Sequence, residues 1–304
     1  MPKIDYRLRP SKAIQRHMII DICRRLSSFA PLNQYQYVGF GGLDFVDFAL
    51  AHRSLGVNHM VSIEANTVQI ERFRFNRPFS SIQIVPGRAS EHLADLDWGE
   101  LSIVWLDYEQ MLNYEVISDV KLLCGRLQPG SALFVTVNAL SEKRLDGRRE
   151  ELVRRIGESR VPSNVTDDSL GLWGLADVQR QVLSDVITAA LRDRAVSSSW
   201  YQVLDIRYAD DSKMQTLGGI VVGPGNKTAF DACRFDELEF ARFAGSEPVY
   251  IRVPVLTAKE RRALDEQLPL APSANLSAPW LDPTDAEDYL QVYRYYTPGQ
   301  VIAQ

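Results

Sequence analysis

The chain has 304 residues, of which 45% are hydrophobic and 24% charged, and its net charge is −5. This length and composition can bury a sizeable core, in one large domain or in a domain with an extension. The acidic balance disfavours a nucleic-acid partner without excluding it. No apolar run is long enough to span a bilayer, so we expect no membrane contact.

The cysteines and histidines point to a reducing compartment and to no metal site. Cys23, Cys124 and Cys233 are far apart in the chain, and the four histidines have no paired metal spacing. A scattered, odd set of cysteines argues against a disulfide framework. The charged N-terminus lacks the apolar segment of a signal peptide. We therefore expect a cytoplasmic protein without a bound metal ion.

Short β-rich runs alternate with helical patterns in the first half of the chain. Residues 11–28 form an amphipathic helical pattern that Ser11 can cap. The β-rich runs are Tyr35–Val38, Met60–Ile63, Ile82–Val85, Ser102–Leu106 and Ala132–Val137, and the helical patterns between them are 44–55, 67–76, 90–96 and 114–127. This alternation predicts βαβ units and a parallel sheet.

The second half of the chain departs from this alternation. Residues 140–199 are mostly helical in pattern, which is long for a crossover, so we expect a helical insertion there. Two β-rich runs, Tyr201–Tyr208 and Met214–Val222, flank a short polar turn and predict an antiparallel hairpin. The predicted parts of the chain are an N-terminal helix in 1–30, a central domain in 31–225 and an extension in 226–304.

A glycine cluster follows the first predicted strand. Gly39, Gly41 and Gly42 precede a helical pattern, and such glycines let the backbone turn tightly and approach a ligand. Glu64 ends the second strand about 20 residues later, where an acidic side chain suits a ribose diol. Asp44 is the predicted cap of the next helix, and its charge disfavours a phosphate. A sulfonium cofactor therefore fits this loop better than a dinucleotide.

The order of these elements resembles the Rossmann-like fold of class I S-adenosylmethionine-dependent methyltransferases over about residues 30–225. The resemblance implies an α/β fold with a mostly parallel seven-stranded sheet, whose antiparallel last strand inserts beside the fifth. The motifs that carry it are Gly39-Phe40-Gly41-Gly42 after strand one, Glu64 after strand two, Pro86-Gly87-Arg88-Ala89-Ser90 after strand three, Leu106-Asp107-Tyr108 at the end of strand four and Leu127-Gln128-Pro129-Gly130 before strand five.

The resemblance also implies where a cofactor binds. S-adenosylmethionine is expected to lie over Gly39, Gly41 and Gly42, with Glu64 at the ribose hydroxyls and Arg88 at the adenine.

The implied function is methyl transfer to an unidentified oxygen or nitrogen acceptor. Asp107 would orient the cofactor or accept a proton from the nucleophile, and Tyr108 would shield the methyl group or bind the acceptor. Two alternatives stay open: a non-catalytic Rossmann-like scaffold or partner subunit, and a nucleic-acid-modifying methyltransferase. The scaffold alternative rests on Tyr37, Leu43 and Arg88, which stand where the family often has an acidic residue, a glycine and a second acidic residue.

Two further expectations concern partners. If the N-terminal helix covers the pocket, its basic side chains Arg9, Lys12 and Arg16, with His17, would meet an anionic acceptor. The extension carries a tyrosine stripe that suits a core or an interface, so we expect a second copy of the chain or another protein to bind there.

Overall fold

The computed structural model describes residues 9–271 and 274–296. The first eight residues of the predicted N-terminal segment and the last eight of the predicted extension lie outside these ranges. The strands are β1 Gln36–Gly39, β2 His59–Glu64, β3 Ile82–Pro86, β4 Ser102–Met111, β5 Ala132–Asn138, β6 Ser199–Ala209, β7 Lys213–Val222 and β8 Val249–Ile251. Within the described ranges they form one sheet in the order β3-β2-β1-β4-β5-β7-β6-β8.

Helices cover both faces of this sheet. They are α1 Pro10–Arg25, α2 Val46–Leu55, α3 Ile70–Asn76, α4 Ala89–His92, α5 Tyr114–Arg126, α6 Arg148–Ile156, α7 Gly174–Arg192, α8 Lys227–Ala232, α9 Ala258–Asp265 and α10 Pro283–Val292. Successive strand residues point to opposite faces: Tyr37 belongs to a core shared with α1 and α2, and Val38 to a core shared with α5 and α7. Burial on both faces explains why these strands are continuously apolar.

The predicted mostly parallel sheet and its antiparallel hairpin are confirmed. Strand β7 pairs antiparallel with both β5 and β6, and it lies between them as the resemblance implied. The structure adds an eighth strand to the predicted seven, because Val249–Ile251 pairs parallel with β6. A three-residue strand is too short to show an alternating pattern in sequence, which is why it was missed.

The predicted cap of α2 is wrong. The helix begins at Val46 and its N-cap is Phe45, which has a left-handed backbone with φ 47° and makes no capping hydrogen bond with its side chain. Asp44 lies one residue earlier and is exposed. A left-handed phenylalanine is strained, and its ring is fully buried beneath the glycine loop. Core packing therefore sets this helix start.

The predicted cap of α1 is also wrong, because its capping group comes from elsewhere in the chain. The helix begins at Pro10, whose fixed φ suits a first helical position. The Asp210 carboxylate, in the β6–β7 turn, accepts hydrogen bonds from the backbone amides of Ser11 (3.2 Å) and Lys12 (3.1 Å). These amides have no partner within a helix, so the hairpin turn fixes the start of α1.

The predicted insertion contains one helix that belongs to the main layers. Helix α7 packs against α5 and β6 and covers one face of the sheet. The division into three parts stays a prediction, although β8 shows that the segment after residue 225 contributes to the sheet. Among residues 9–271 and 274–296, no helix is both long enough and apolar enough to cross a membrane.

The tight packing of β7 can be tested at Gly219. A Cβ there would lie 2.5 Å from the backbone oxygen of Tyr201 and 2.6 Å from the Trp200 ring. We expect Gly219→Ala to lower the free energy of unfolding by about 1–3 kcal/mol, the usual cost of overpacking. In the control Gly225→Ala, the added Cβ meets nothing within 4 Å. Urea unfolding measures both, and equal midpoints for the two variants would contradict the packing described here.

Candidate active site

A cleft of about 550 Å³ opens at the edge of the sheet where β1, β2 and β4 end. In open parallel sheets, ligands bind outside the carboxyl ends of the strands, and this volume suits a small-molecule ligand. We call one side the glycine-loop half; it is lined by residues 40–44, 63–66 and 87–89. The other side, the α1 half, is lined by Arg9, Lys12, Arg16, Tyr208, Asp210, Asp211, Ser212 and Met214.

Two different physical constraints favour glycine at the three glycine positions of the loop. A Cβ on Gly39 would lie 2.9 Å from the Trp105 backbone oxygen, and one on Gly41 would lie 2.5 Å from the Phe45 ring. Packing therefore requires both. Gly42 has φ +59° and nothing within 4 Å of a Cβ position, so the turn itself favours glycine there. Gly41 and Gly42 line the cleft, whereas a ligand contact for Gly39 stays a prediction.

The Glu64 carboxylate is held in the cleft wall by the glycine loop. Its Oε1 accepts hydrogen bonds from the backbone amide of Gly41 (2.9 Å) and from Ser62 Oγ (2.6 Å). Burial raises the pKa of Glu64, and the hydrogen bonds from Ser62 and Gly41 oppose that rise. The predicted acidic residue after strand two therefore lies beside the glycine loop with a fixed orientation.

Arg88 lies at the rim of the glycine-loop half. Its side chain is 67% exposed and its Nη1 lies 3.7 Å from Oε1 of Glu115. An exposed pair of this kind contributes little to stability. Gly87, Arg88 and Ala89 line the cleft, so an adenine could contact the chain here, and the role of the Arg88 side chain stays a prediction.

Asp107 lies between the two halves and pairs with a residue from α1. Lys12 Nζ lies 2.7 Å from Asp107 Oδ1 and 4.5 Å from the centre of the Trp105 ring. The Lys12 side chain is only 4% exposed, against 24% for Asp107. The β4–β5 register shifts between Asp107 and Met111, so the pairing of β4 is irregular beside the cleft. Sequence reasoning missed this pair because its partners are 95 residues apart and no local pattern joins them.

Helix α1 does cover the pocket, and its other bases also meet carboxylates. Arg16 Nε lies 2.5 Å from Oδ1 of Asp47 on α2, and both side chains are largely buried. Arg9 Nε lies 3.0 Å from Oδ2 of Asp211 in the β6–β7 turn. His17 is not among the residues that line the cleft. An anionic acceptor stays a prediction, and these pairs do not favour it.

Tyr108 lines the cleft, and its hydroxyl is bound by α5. The hydroxyl donates a hydrogen bond to Asp119 Oδ2 on α5 at 2.6 Å. Its ring packs edge-to-face against Phe40 with the centroids 5.2 Å apart. Burial raises the pKa of Tyr108, and the nearby Asp119 charge adds to the rise. Its proposed roles at the methyl group stay predictions, and the geometry suits shielding better than proton transfer.

Acidic side chains outnumber basic ones along the cleft. Four described lining residues are basic, namely Arg9, Lys12, Arg16 and Arg88, and eight are acidic, namely Asp44, Asp47, Glu64, Asp107, Glu109, Glu115, Asp210 and Asp211. Such a field attracts a cation and disfavours a phosphate. Among the described residues, no group of three or more His, Cys, Asp or Glu side chains is placed to hold a metal ion.

The fold and the site together define a class. A mostly parallel sheet with an inserted antiparallel strand, a glycine loop after β1 and an acidic residue ending β2 make this protein a class I methyltransferase of Rossmann-like fold. The chain matches the family model described as "Putative O-methyltransferase" over residues 4–298, and it belongs to that family. No curated protein matches the chain in sequence.

Several solved structures are similar to part of this chain. Trm1 from Pyrococcus horikoshii, in complex with S-adenosyl-L-methionine, is 12% identical with a TM-score of 0.48; the match covers 76% of this chain and 61% of that chain. Cofactor-bound Rv0187 from MTB is 15% identical with a TM-score of 0.40, covering 73% and 90%. The O-methyltransferase TomG from Streptomyces achromogenes is 18% identical with a TM-score of 0.37, covering 73% and 92%.

The orientation of Tyr108 leads to a prediction. Tyr108→Phe removes the hydrogen bond to Asp119 and leaves the ring against Phe40. We expect the free energy of unfolding to fall by about 1–2 kcal/mol, while the affinity for S-adenosylmethionine stays within about twofold of wild type. Thermal unfolding and calorimetry measure the two quantities. A variant of normal stability that binds the cofactor poorly would mean that the hydroxyl faces the ligand after all.

Proposed function

We propose that this protein transfers the methyl group of S-adenosylmethionine to the oxygen atom of a small acceptor. The reaction type is inferred from the family to which the chain belongs. The choice of cofactor rests on the Glu64 carboxylate, which is fixed beside the Gly41 amide in a cleft dominated by acidic groups. When bound, the cofactor supplies an electrophilic methyl group on a positively charged sulfur.

The residues of the glycine-loop half fit this cofactor. Glu64 would accept hydrogen bonds from the ribose hydroxyls, as an acidic residue at the end of the second strand does in related folds. Gly42 leaves open space next to its backbone. The backbone of residues 87–89 would flank the adenine. The excess of carboxylates along the cleft suits a sulfonium, which carries positive charge and no phosphate.

The α1 half is the proposed place of the acceptor. Catalysis would consist mainly of holding the acceptor oxygen in line with the methyl group, since positioning alone can remove about 7–11 kcal/mol of a bimolecular barrier. Asp107 lies where the two halves meet, but its carboxylate already accepts a hydrogen bond from the Lys12 ammonium in an ion pair. A paired carboxylate is a poor proton acceptor. We therefore assign Asp107 to orientation and charge balance.

A cytoplasmic location is part of the proposal. Cys23, Cys124 and Cys233 are all buried free thiols, as expected of a protein in a reducing compartment. The possibility of a second copy or a protein partner on the extension stays a prediction, and so does the disfavoured nucleic-acid partner.

If Glu64 binds the ribose, its replacement should change the stability of the protein and its affinity for the cofactor in opposite directions. Because burial raises its pKa in the folded protein, folding binds protons, so Glu64 reduces stability as the pH rises from about 4.5 through the raised value. Glu64→Gln removes this penalty, and we expect equal or greater stability at neutral pH. The ribose loses a charged acceptor, which weakens S-adenosylmethionine binding by about tenfold or more.

Calorimetry and thermal unfolding of the same samples measure both effects. Glu71→Gln is the matched control, since this side chain is 79% exposed on α3 and outside the cleft. It should leave both quantities unchanged. Unchanged cofactor affinity in Glu64→Gln would remove Glu64 from the ribose site. If the wild type binds no S-adenosylmethionine, the scaffold alternative takes the place of the proposed enzyme.

A further inference from the structure

The Lys12 amine is the titratable base in the cleft wall. It is the only lysine among the described residues that line the cleft, and none of those residues is a histidine. The other three basic side chains are arginines, which keep their charge at any physiological pH. Lys12 Nζ sits between Asp107, at 2.7 Å, and the face of Trp105, at 4.5 Å. Its partner Asp107 lies between the two halves, so Lys12 would be close to both proposed ligands.

The groups around Lys12 determine its charge. Burial lowers the pKa of Lys12; Asp107 on β4 and Asp47 on α2 oppose this, and Arg16 one turn along α1 adds to it. The Tyr208 ring on β6 lies 5.9 Å away, and burial raises the pKa of its phenol, which stays neutral. Asp210 is occupied by the amides at the start of α1. Asp107 is thus the carboxylate in direct contact that holds the proton on Lys12.

We propose that Lys12 releases its proton when a sulfonium occupies the cleft, and that the neutral amine then takes the proton of the acceptor hydroxyl during methyl transfer. This inference rests on the proposed function. Two cations beside one partly buried carboxylate repel each other. Of these two, only Lys12 can lose its charge, because the sulfonium carries no proton.

The proposed step conserves atoms and charge. The acceptor oxygen gains the methyl group, the O–H proton moves to Lys12 Nζ, and the electron pair of the broken S–C bond stays on sulfur as a neutral thioether. Asp107 therefore has one cationic partner at each stage: the ammonium in the free protein, the sulfonium in the complex, and the ammonium again after transfer. Lys12 is a catalytic residue in this scheme, and Asp107 is a positioning residue.

The test needs no acceptor, because it follows protons released on binding. Titration calorimetry of the full chain at about pH 7.5, in phosphate and in Tris, gives the number of protons released from the difference in apparent enthalpy between the buffers. S-adenosylmethionine and S-adenosylhomocysteine are the two probes. They share every group except the methyl group and the positive charge on sulfur, so their difference isolates the effect of that charge.

We expect the binding of S-adenosylmethionine to release between about half a proton and one proton more than the binding of S-adenosylhomocysteine does. In Lys12→Arg, which keeps the positive charge but cannot lose it, the difference should vanish while both probes still bind. Lys227→Arg is the matched control: this exposed lysine pairs with Asp231 on α8, and its variant should behave as wild type.

Equal proton release by the two probes in the wild type would overturn the inference, even if Lys12→Arg fails to fold. A difference that persists in a folded Lys12→Arg variant would also overturn it, because another group would then be the source. If the wild type binds neither probe, the proposed function fails and this inference fails with it. Binding of both probes with equal proton release overturns the inference alone, so the two failures are distinguishable.

Discussion

The ion pair between Lys12 and Asp107 is the interaction on which the shape of the cleft depends. It joins the first helix to β4 across 95 residues of sequence. Burying an ammonium is costly unless a partner compensates, and here Asp107 and the Trp105 ring face it directly. Removing one partner of such a buried pair typically costs about 3–5 kcal/mol.

Two further contacts hold α1 in the position that this pair requires. Asp210 satisfies the amides at the start of the helix, and Arg16 binds Asp47 on α2. Apolar side chains such as Ile14 and Met18 pack the helix onto the sheet. Core packing, the Asp210 cap and the ion pairs together make this helix a wall of the site. The α1 half consequently has a defined boundary before any ligand binds.

The sequence was informative where the signal is local. Short apolar runs between helical patterns predicted the strands, because burial on both faces makes a strand continuously apolar. The polar turn before Lys213 predicted the hairpin. Spacing alone predicted the glycine loop and Glu64 as ligand-binding residues, and the structure places them side by side. The spacing did not show that packing against Trp105 and Phe45 already requires two of the glycines.

Contacts between distant segments could not be predicted from the sequence, and the reason is physical. The left-handed Phe45, the cap supplied by Asp210 and the Lys12–Asp107 pair all depend on which surfaces the fold brings together. The hydroxyl of Tyr108 could face the cleft or α5 with the same local sequence, and only the position of Asp119 decides between them. Site chemistry built from such contacts becomes visible only with the tertiary structure.

A crystal structure with S-adenosylhomocysteine would show where the cofactor binds. We expect the ribose at Glu64, the adenine along residues 87–89 and the sulfur facing the boundary between the two halves, with α1 unmoved. Ligand density elsewhere on the protein, or a ribose held by other residues, would contradict this expectation.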